Sequence, residues 1–412
     1  MVKGIVIKRV IALLVLSLWY VAAYTQAAPK VPSLQQMLAD AQPGQVLRIP
    51  AGTYHGPLVI TKPVVLYGEP GAVIEGSGEG SVLTIAANDV TVKGFTIRHS
   101  GRNSAAHDAG IEVRGARAVI AENRIEQTMY GVHLNRSSAS RITDNRIEGS
   151  DGPALTKRGN GIHITAGGRH LIERNTIVAM QDGVYFDQTT GNAVQHNMVD
   201  RSRYGYHVMF SDDNRLEANE AKNSIVGAMV MAVKGVTLQD NVFHHQMDVQ
   251  GCGLFLYDVQ DARVYGNQAF NNTTGIALDK TVKTQLERNR VAHNAIGIKR
   301  VGEVEDTHLR ENAFIGNVRQ IGGEADWPPD VWSRASVGNY WDDYSGWDFN
   351  KDGIGDGAYR MADDMQRIVE RHPLLGIFYA SPLHQLLDHL TAEYPVFDEH
   401  PLMSVPLAAN NQ

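Results

Sequence analysis

The sequence is nearly free of cysteine: Cys252 is the only one in 412 residues. An internal disulfide is therefore excluded, and the fold must be held by its core. Lysine and arginine never gather into a block, and the formal charge is −7 with a pI near 6.1. This argues against a nucleic-acid partner. No long apolar run follows Ala23, so a second membrane span is excluded. With 43% hydrophobic and 20% charged residues, a large core is within reach. Disorder and a small disulfide scaffold are excluded on the same count. Glycine is the residue in excess, 40 in all, or about 10% against a usual ~7%, which argues for many turns.

Lys3, Lys8 and Arg9 precede an apolar run from Val10 to Ala23, and Thr25-Gln26-Ala27 reads as a cleavage site. Residues 1–27 are expected to be a secretory signal peptide that exports the chain. The alternative is a permanent anchor, for which the run is short of a ~20-residue span. Cleavage removes three basic and no acidic residues, taking the charge from −7 to −10.

The chain is its own alignment. Asn recurs at 123, 145, 175, 197, 219, 241, 267, 289 and 312, mostly in steps of 22. Gly recurs in phase at 110, 131, 161, 183, 205, 227, 253, 275 and 297. The first residue after each Gly is Ile111, Val132, Ile162, Val184, Tyr206, Ala228, Leu254, Ile276 or Ile298, and the third is apolar in every unit but the last. Period-two alternation places both inward on a strand. A ~22-residue unit with three short strands is one coil of a right-handed parallel β-helix, an all-β solenoid; the frame of a leucine-rich repeat is missing. The Asn column fits amides stacked from coil to coil. Residues 28–45 are expected to form an N-terminal cap with a helix over Ser33–Ala41. Residues 46–320 then form roughly eleven coils, ~50 Å long at ~4.8 Å each. Residues 321–412 form a Trp-rich segment (Trp327, Trp332, Trp341, Trp347) with a terminal helix from Pro382 carrying Leu383, Leu386, Leu387 and Leu390.

The Asn-to-Gly spacing is 8 in most coils, but 16 between Asn145 and Gly161 and 12 between Asn241 and Gly253. Both insertions fall at one corner, where loops line a binding face or simply drift. Beside it runs the outward column Glu112, His133, His163, Tyr185, His207, Met229, Phe255, Ala277, Lys299. His207, Met209, Met229 and Met231 stand outward on neighbouring coils, and the second inserted loop adds His244, His245 and Met247. Thioether and imidazole are soft donors that favour Cu(I) over Mg²⁺ or Ca²⁺, so these seven form a candidate site for transient copper. The alternative is an apolar docking strip, because Met is an ordinary gap-filler. A second candidate is Asp348, Asn350, Asp352 and Asp356, with Gly353 at the sixth position of a structural Ca²⁺ loop; Tyr359 stands where an EF-hand needs Glu. A solvated Asp/Gly turn is the other reading.

Many β-helices act on polysaccharides. A hydrolase needs two facing carboxylates, and a lyase needs a base with a neutralising cation. Glu112, Asp187 and Asp279 lie several coils apart and Asp212-Asp213 sits at a turn, so no catalytic residue is assigned and no enzyme activity is expected. A polysaccharide lyase, hydrolase or epimerase, or a glycan-binding adhesion module, stays the alternative.

Over nearly all of the mature chain the sequence resembles the NosD family. The residues carrying the resemblance are Ile49-Pro50-Ala51-Gly52-Thr53-Tyr54, Val90-Thr91-Val92-Lys93-Gly94-Phe95-Thr96-Ile97 and the Gly/Asn coils. Gly338-Asn339-Tyr340-Trp341-Asp342-Asp343-Tyr344 and Arg371-His372-Pro373-Leu374 complete it, the former much more specific than the coils. The resemblance implies a periplasmic maturation protein for nitrous-oxide reductase. Its implied partners are an ABC transporter (ATPase and membrane subunits), a copper-donating lipoprotein and the reductase, whose copper–sulfur cluster receives the copper. It supplies no ligand list, so the His/Met set rests on the repeat alone.

Overall fold

The computed structural model describes residues 33–149 and 154–323, then 327, 331–332, 338–344, 348–349, 351–355, 359 and 382. The expected signal peptide, the first five residues of the expected cap (28–32) and the terminal helix beyond Pro382 lie outside the described residues. The helix α1 (Leu34–Asp40) is capped by Ser33, whose Oγ accepts the Gln36 N–H at 3.2 Å. Among the described residues no helix is long and apolar enough to cross a membrane.

From Val46 onward the chain winds as a parallel β-solenoid of about twelve coils. The first sheet stacks twelve strands from Val46–Ile49 to His308–Arg310. The second stacks thirteen from Gly52–His55 to Tyr340–Trp341, and the third twelve from Leu58–Ile60 to Arg319–Gly323, with Val304–Glu305 pairing the end of Thr274–Val282 as a thirteenth. Every pairing is parallel and in register, as in Ile162 with Val184 and His163 with Tyr185. Most strands of the first two sheets are three residues long and bury only the middle one, Ile125, Ile147, Ile177 and Val199 in succession. In the third sheet the first and third residues after each Gly are inward, and Ile162, Ile164, Val184 and Phe186 are fully buried.

Two corner devices hold the coils in phase. Between the first and second sheets, a residue with left-handed backbone (Glu122, Asp144, Arg174, His196, Ala218) precedes each ladder Asn. Each Asn Nδ2 donates to the Oδ1 of the next coil's Asn, and that Oδ1 also accepts the first Asn's backbone N–H: Asn175 to Asn197 at 2.9 Å and Asn197 to Asn219 at 3.0 Å. At the corner into the third sheet, Gly leaves no room for a side chain; a Cβ at Gly205 would lie 2.5 Å from the Gly227 carbonyl oxygen. The ladder runs past the expected end near 320, because Asn339 takes the bonds of Asn312 and Trp341 pairs with Phe314. Phe314, Trp341 and Tyr359 stack at 4.3 Å, with Trp332 tilted 5.6 Å from Trp341. This part of the Trp-rich segment thus continues the core.

Candidate functional site

Outward residues of a solenoid normally face water. Those on the third sheet do not: Glu112, His133, His163, His207, Met229 and Ala277 are all at most 8% exposed. The cause is the Gly corner. The residue before each Gly also turns outward, forming a second column beside the first: Tyr130, Asn160, Asp182, Tyr204, Val226 and Cys252. The two columns cover each other.

The strip changes chemistry along its length. At one end Arg114 clamps Glu112 through two bonds of 2.8 and 2.9 Å. Next come three imidazoles, His107, His133 and His163, with ring centres 4.7–5.2 Å apart and Tyr130 against them. Burial, reinforced by the neighbouring histidines, pushes His133 down to about 4 and His163 down to about 3, so both rings are neutral at pH 7. Their nitrogens are engaged locally: Asn160 Nδ2 donates to His163 Nδ1 at 3.1 Å, and His133 Nε2 lies 3.2 Å from Thr165 Oγ1. Among the described residues no group of three or more His, Cys, Asp or Glu is drawn together closely enough to hold a metal.

Midway, Tyr185 and Tyr204 pack against His207 at 4.7 and 4.9 Å. His207 Nδ1 bonds Asp182 Oδ2 at 2.9 Å, and Arg203 holds both oxygens of Asp182 at 2.7 and 2.9 Å. Burial opposes the charge on Asp182, but the bonds from His207 and Arg203 outweigh it and keep the carboxyl below its ordinary range. His207 Nε2 is buried without a partner. Beyond it the strip turns soft and apolar: Val226, Met229, Cys252 and Ala277 form one cluster, with Tyr204, Met231 and Phe255 packed on it. Burial pushes the Cys252 thiol up to about 12, so it is a thiol at neutral pH.

The family described as "Periplasmic copper-binding protein (NosD)" matches residues 145–346. The Pseudomonas aeruginosa "Probable ABC transporter binding protein NosD" is 32% identical over 380 residues, 87% of this chain and 88% of that one. The Stutzerimonas stutzeri protein of the same name is 32% identical over 92% of this chain and 91% of its own length. The chain belongs to the NosD family. A family of unknown function (DUF1565) also matches residues 56–208. Among solved structures, the A-module of a mannuronan C-5 epimerase from Azotobacter vinelandii matches with TM-score 0.52 at 15% identity, covering 71% of this chain and 90% of its own. A PL6 alginate lyase matches at 0.53 and 13%, covering 72% and 85%. At such identity the likeness shows the solenoid fold alone.

In this NosD-family chain the seven expected copper residues divide. His207 pairs in register with Met229, and Met209 with Met231, so four stand together on neighbouring coils. His244 and His245 do not join them. His244 ends a strand of the second sheet, stacks on Phe270 at 4.9 Å, and bonds Glu220 and His245. Met247 is 68% exposed on the loop. Although they stand outward, His207 and Met229 are buried, and Met209 and Met231 are half-buried. Of the calcium residues, Asp348 and Asp352 are described, and Asn350 and Asp356 lie outside the described residues. Asp348 Oδ2 accepts the Gly353 N–H at 3.0 Å, while its Oδ1 is buried without a partner. Tyr359, the non-matching twelfth position, donates to Asp343 at 3.1 Å.

Sequence reading missed Asp182, Arg203, Tyr204, Cys252 and His107. The first four sit one or two residues before a Gly, outside the column that follows each Gly. His107 arrives on a third loop at the same corner, residues 99–108. It escaped because Phe95, not Asn, holds the ladder position there, bonding Asn123 through its N–H.

Proposed function

We propose that this chain is a periplasmic copper-handling assembly factor without enzyme activity of its own. It works with an ABC transporter's ATPase and membrane subunits, receives copper from a lipoprotein donor, and serves the maturation of the copper–sulfur centre of nitrous-oxide reductase. The observation that carries the reading is the covered strip of the third sheet, where neutral imidazole gives way to thioether and thiol over consecutive coils. Such donors suit Cu(I), and two or three of them hold it loosely enough for release. The family's description as periplasmic and copper-binding supports the cargo. The relatives' printed name supports the transporter.

The test is Cu(I) uptake under anaerobic competition with a chelator, comparing the native chain with the Met209→Leu/Met229→Leu/Met231→Leu variant. That variant keeps volume and apolarity and removes the sulfurs. Lost uptake with the client pulldown retained supports a copper site. Unchanged uptake removes the methionines from it and leaves them a docking strip.

The enzyme reading has one observation in its favour, the Asp182–His207 pair beside two tyrosines in a fold shared with alginate-active enzymes. Against it, Asp182 is 1% exposed and already held by Arg203, which leaves no room for a sugar carboxylate there. Unsaturated-product and reducing-end assays on uronate and neutral glycans are expected to show no turnover. The Asp348–Asp356 loop is proposed as a structural Ca²⁺ site, the orphaned Asp348 Oδ1 being the atom that fits a cation. Its removal by chelator should lower the melting temperature.

A further inference from the structure

Resting on the copper reading above, we infer that Asp182 and Arg203 are positioning residues that fix His207 as a one-nitrogen ligand. His207 offers Nε2 to Cu(I), and Met229 of the next coil is its companion donor. Asp182 stands immediately before Gly183, in the column that the corner turns outward, and reaches His207 one coil away. A carboxylate presents only lone pairs, so the hydrogen of the pair is on His207 Nδ1. Arg203 bonds both carboxylate oxygens and cancels their charge. With Nδ1 committed to that bond, Nε2 is the ring nitrogen left to face a ligand.

That nitrogen is enclosed. The His207 side chain is 8% exposed and its Nε2 has no partner. An unpaired buried polar atom is costly, and a native structure keeps one where something else meets it. Tyr185 and Tyr204 wall the ring at 4.7 and 4.9 Å. The next coil, ~4.8 Å along the sheet, puts Met229 in register with His207. A thioether donates no hydrogen bond, yet a soft cation between the two residues uses both lone pairs. His133 and His170 also leave one ring nitrogen unpartnered. Neither is hydrogen-bonded to a carboxylate, and neither has a sulfur in register on the next coil. A carboxylate that orients a ligating imidazole is the usual second partner of a metal-binding histidine.

The experiment uses the full chain loaded with Cu(I) under anaerobic conditions. Affinity is read by chelator competition, and the ligand set by X-ray absorption. Asp182→Asn is expected to lose roughly 10–100-fold in Cu(I) affinity. His207→Gln should remove the nitrogen contribution from the absorption fine structure while sulfur stays, and Met229→Leu should do the reverse. A merely structural Asp182 leaves the ligand spectrum unchanged. If Asp182→Asn fails to fold, the His207 and Met229 variants carry the test by their opposite spectral losses. The inference is overturned if His207→Gln keeps the native nitrogen signal and affinity. If only the triple methionine variant loses copper, the copper reading stands and this assignment falls; if the native chain takes up no Cu(I), the copper reading itself falls.

Discussion

The outer faces of the second and third sheets are built from the same repeat and have opposite character. On the second sheet, Arg124 bonds Glu126 and Glu148 at 2.6 Å, with the arginine 49% exposed. These are solvated pairs that hold little free energy, and the following coils put Thr176 and Val178, then Met198 and Asp200, at the same positions. On the third sheet the outward residues run Glu, His, His, Tyr, His, Met, Phe, and all of them are buried except Tyr185 and Phe255, which are half-buried. Stacking does not require this variety, since any side chain of suitable size satisfies an outward position. Burying ionisable groups there is costly unless each is paired or neutral, and the strip meets that condition through Arg114, Asn160, Asp182 and Arg203. The difference teaches that a solenoid keeps its inner face for stability and is free to write chemistry on one outer face.

The sharpest way to break this contrast is to cut the inner face beneath the strip. Phe186→Ala removes a fully buried side chain and is expected to cost about 3–5 kcal/mol in chemical denaturation. Met229→Leu, on the outer face of the same sheet, is expected to cost less than about 1.5 kcal/mol. Near-equal losses would mean that the strip is part of the core. Asn197→Ala is expected to cost about 2–4 kcal/mol, because it strips partners from the Asn175 N–H and the Ile172 carbonyl. Hydrogen exchange should localise the damage to the flanking coils.

Acid probes the strip itself. His133 and His163 titrate near 4 and 3 in the fold, against an ordinary value of 6.5. As pH falls below about 6.5 the unfolded chain takes up protons first, so stability is full above that pH. It should decline toward pH 4, by on the order of a few kcal/mol for the two together. Urea midpoints at pH 7.5 and 5 would measure it, and His133→Asn/His163→Asn should flatten the difference. A flat native profile would mean that water reaches the rings. The smallest effect belongs to the second sheet: Glu148→Gln is expected to cost under about 1 kcal/mol and to matter less in high salt.

Much of the candidate site was legible. The column after each Gly correctly put His207 beside Met229 and Met209 beside Met231, because register in a parallel stack follows from residue counting. Counting failed for His244 and His245, since a residue at the end of a second-sheet strand faces another side of the solenoid from a residue on the third, however close in sequence. It failed also for Asp182 and Tyr204. Strict alternation assigns the residue before Gly to the inside, and only the tight corner at Gly183 and Gly205 turns it out.

The sequence by itself determined the coil. A 22-residue period, alternation within each strand and an Asn at each corner are local regularities, and each coil pairs only with its neighbours, so the repeat specifies the stack. It determined the inner face as well, because inward positions are apolar in every coil but the last, where Arg300 stands. The tertiary structure decided which outer face is covered and by what. That outcome depends on a left-over freedom at the Gly corner, on the His107 loop folding back over His133 and His163, and on a carboxylate meeting an imidazole one coil away. Contacts of that kind join columns rather than repeats, and no period in the sequence records them.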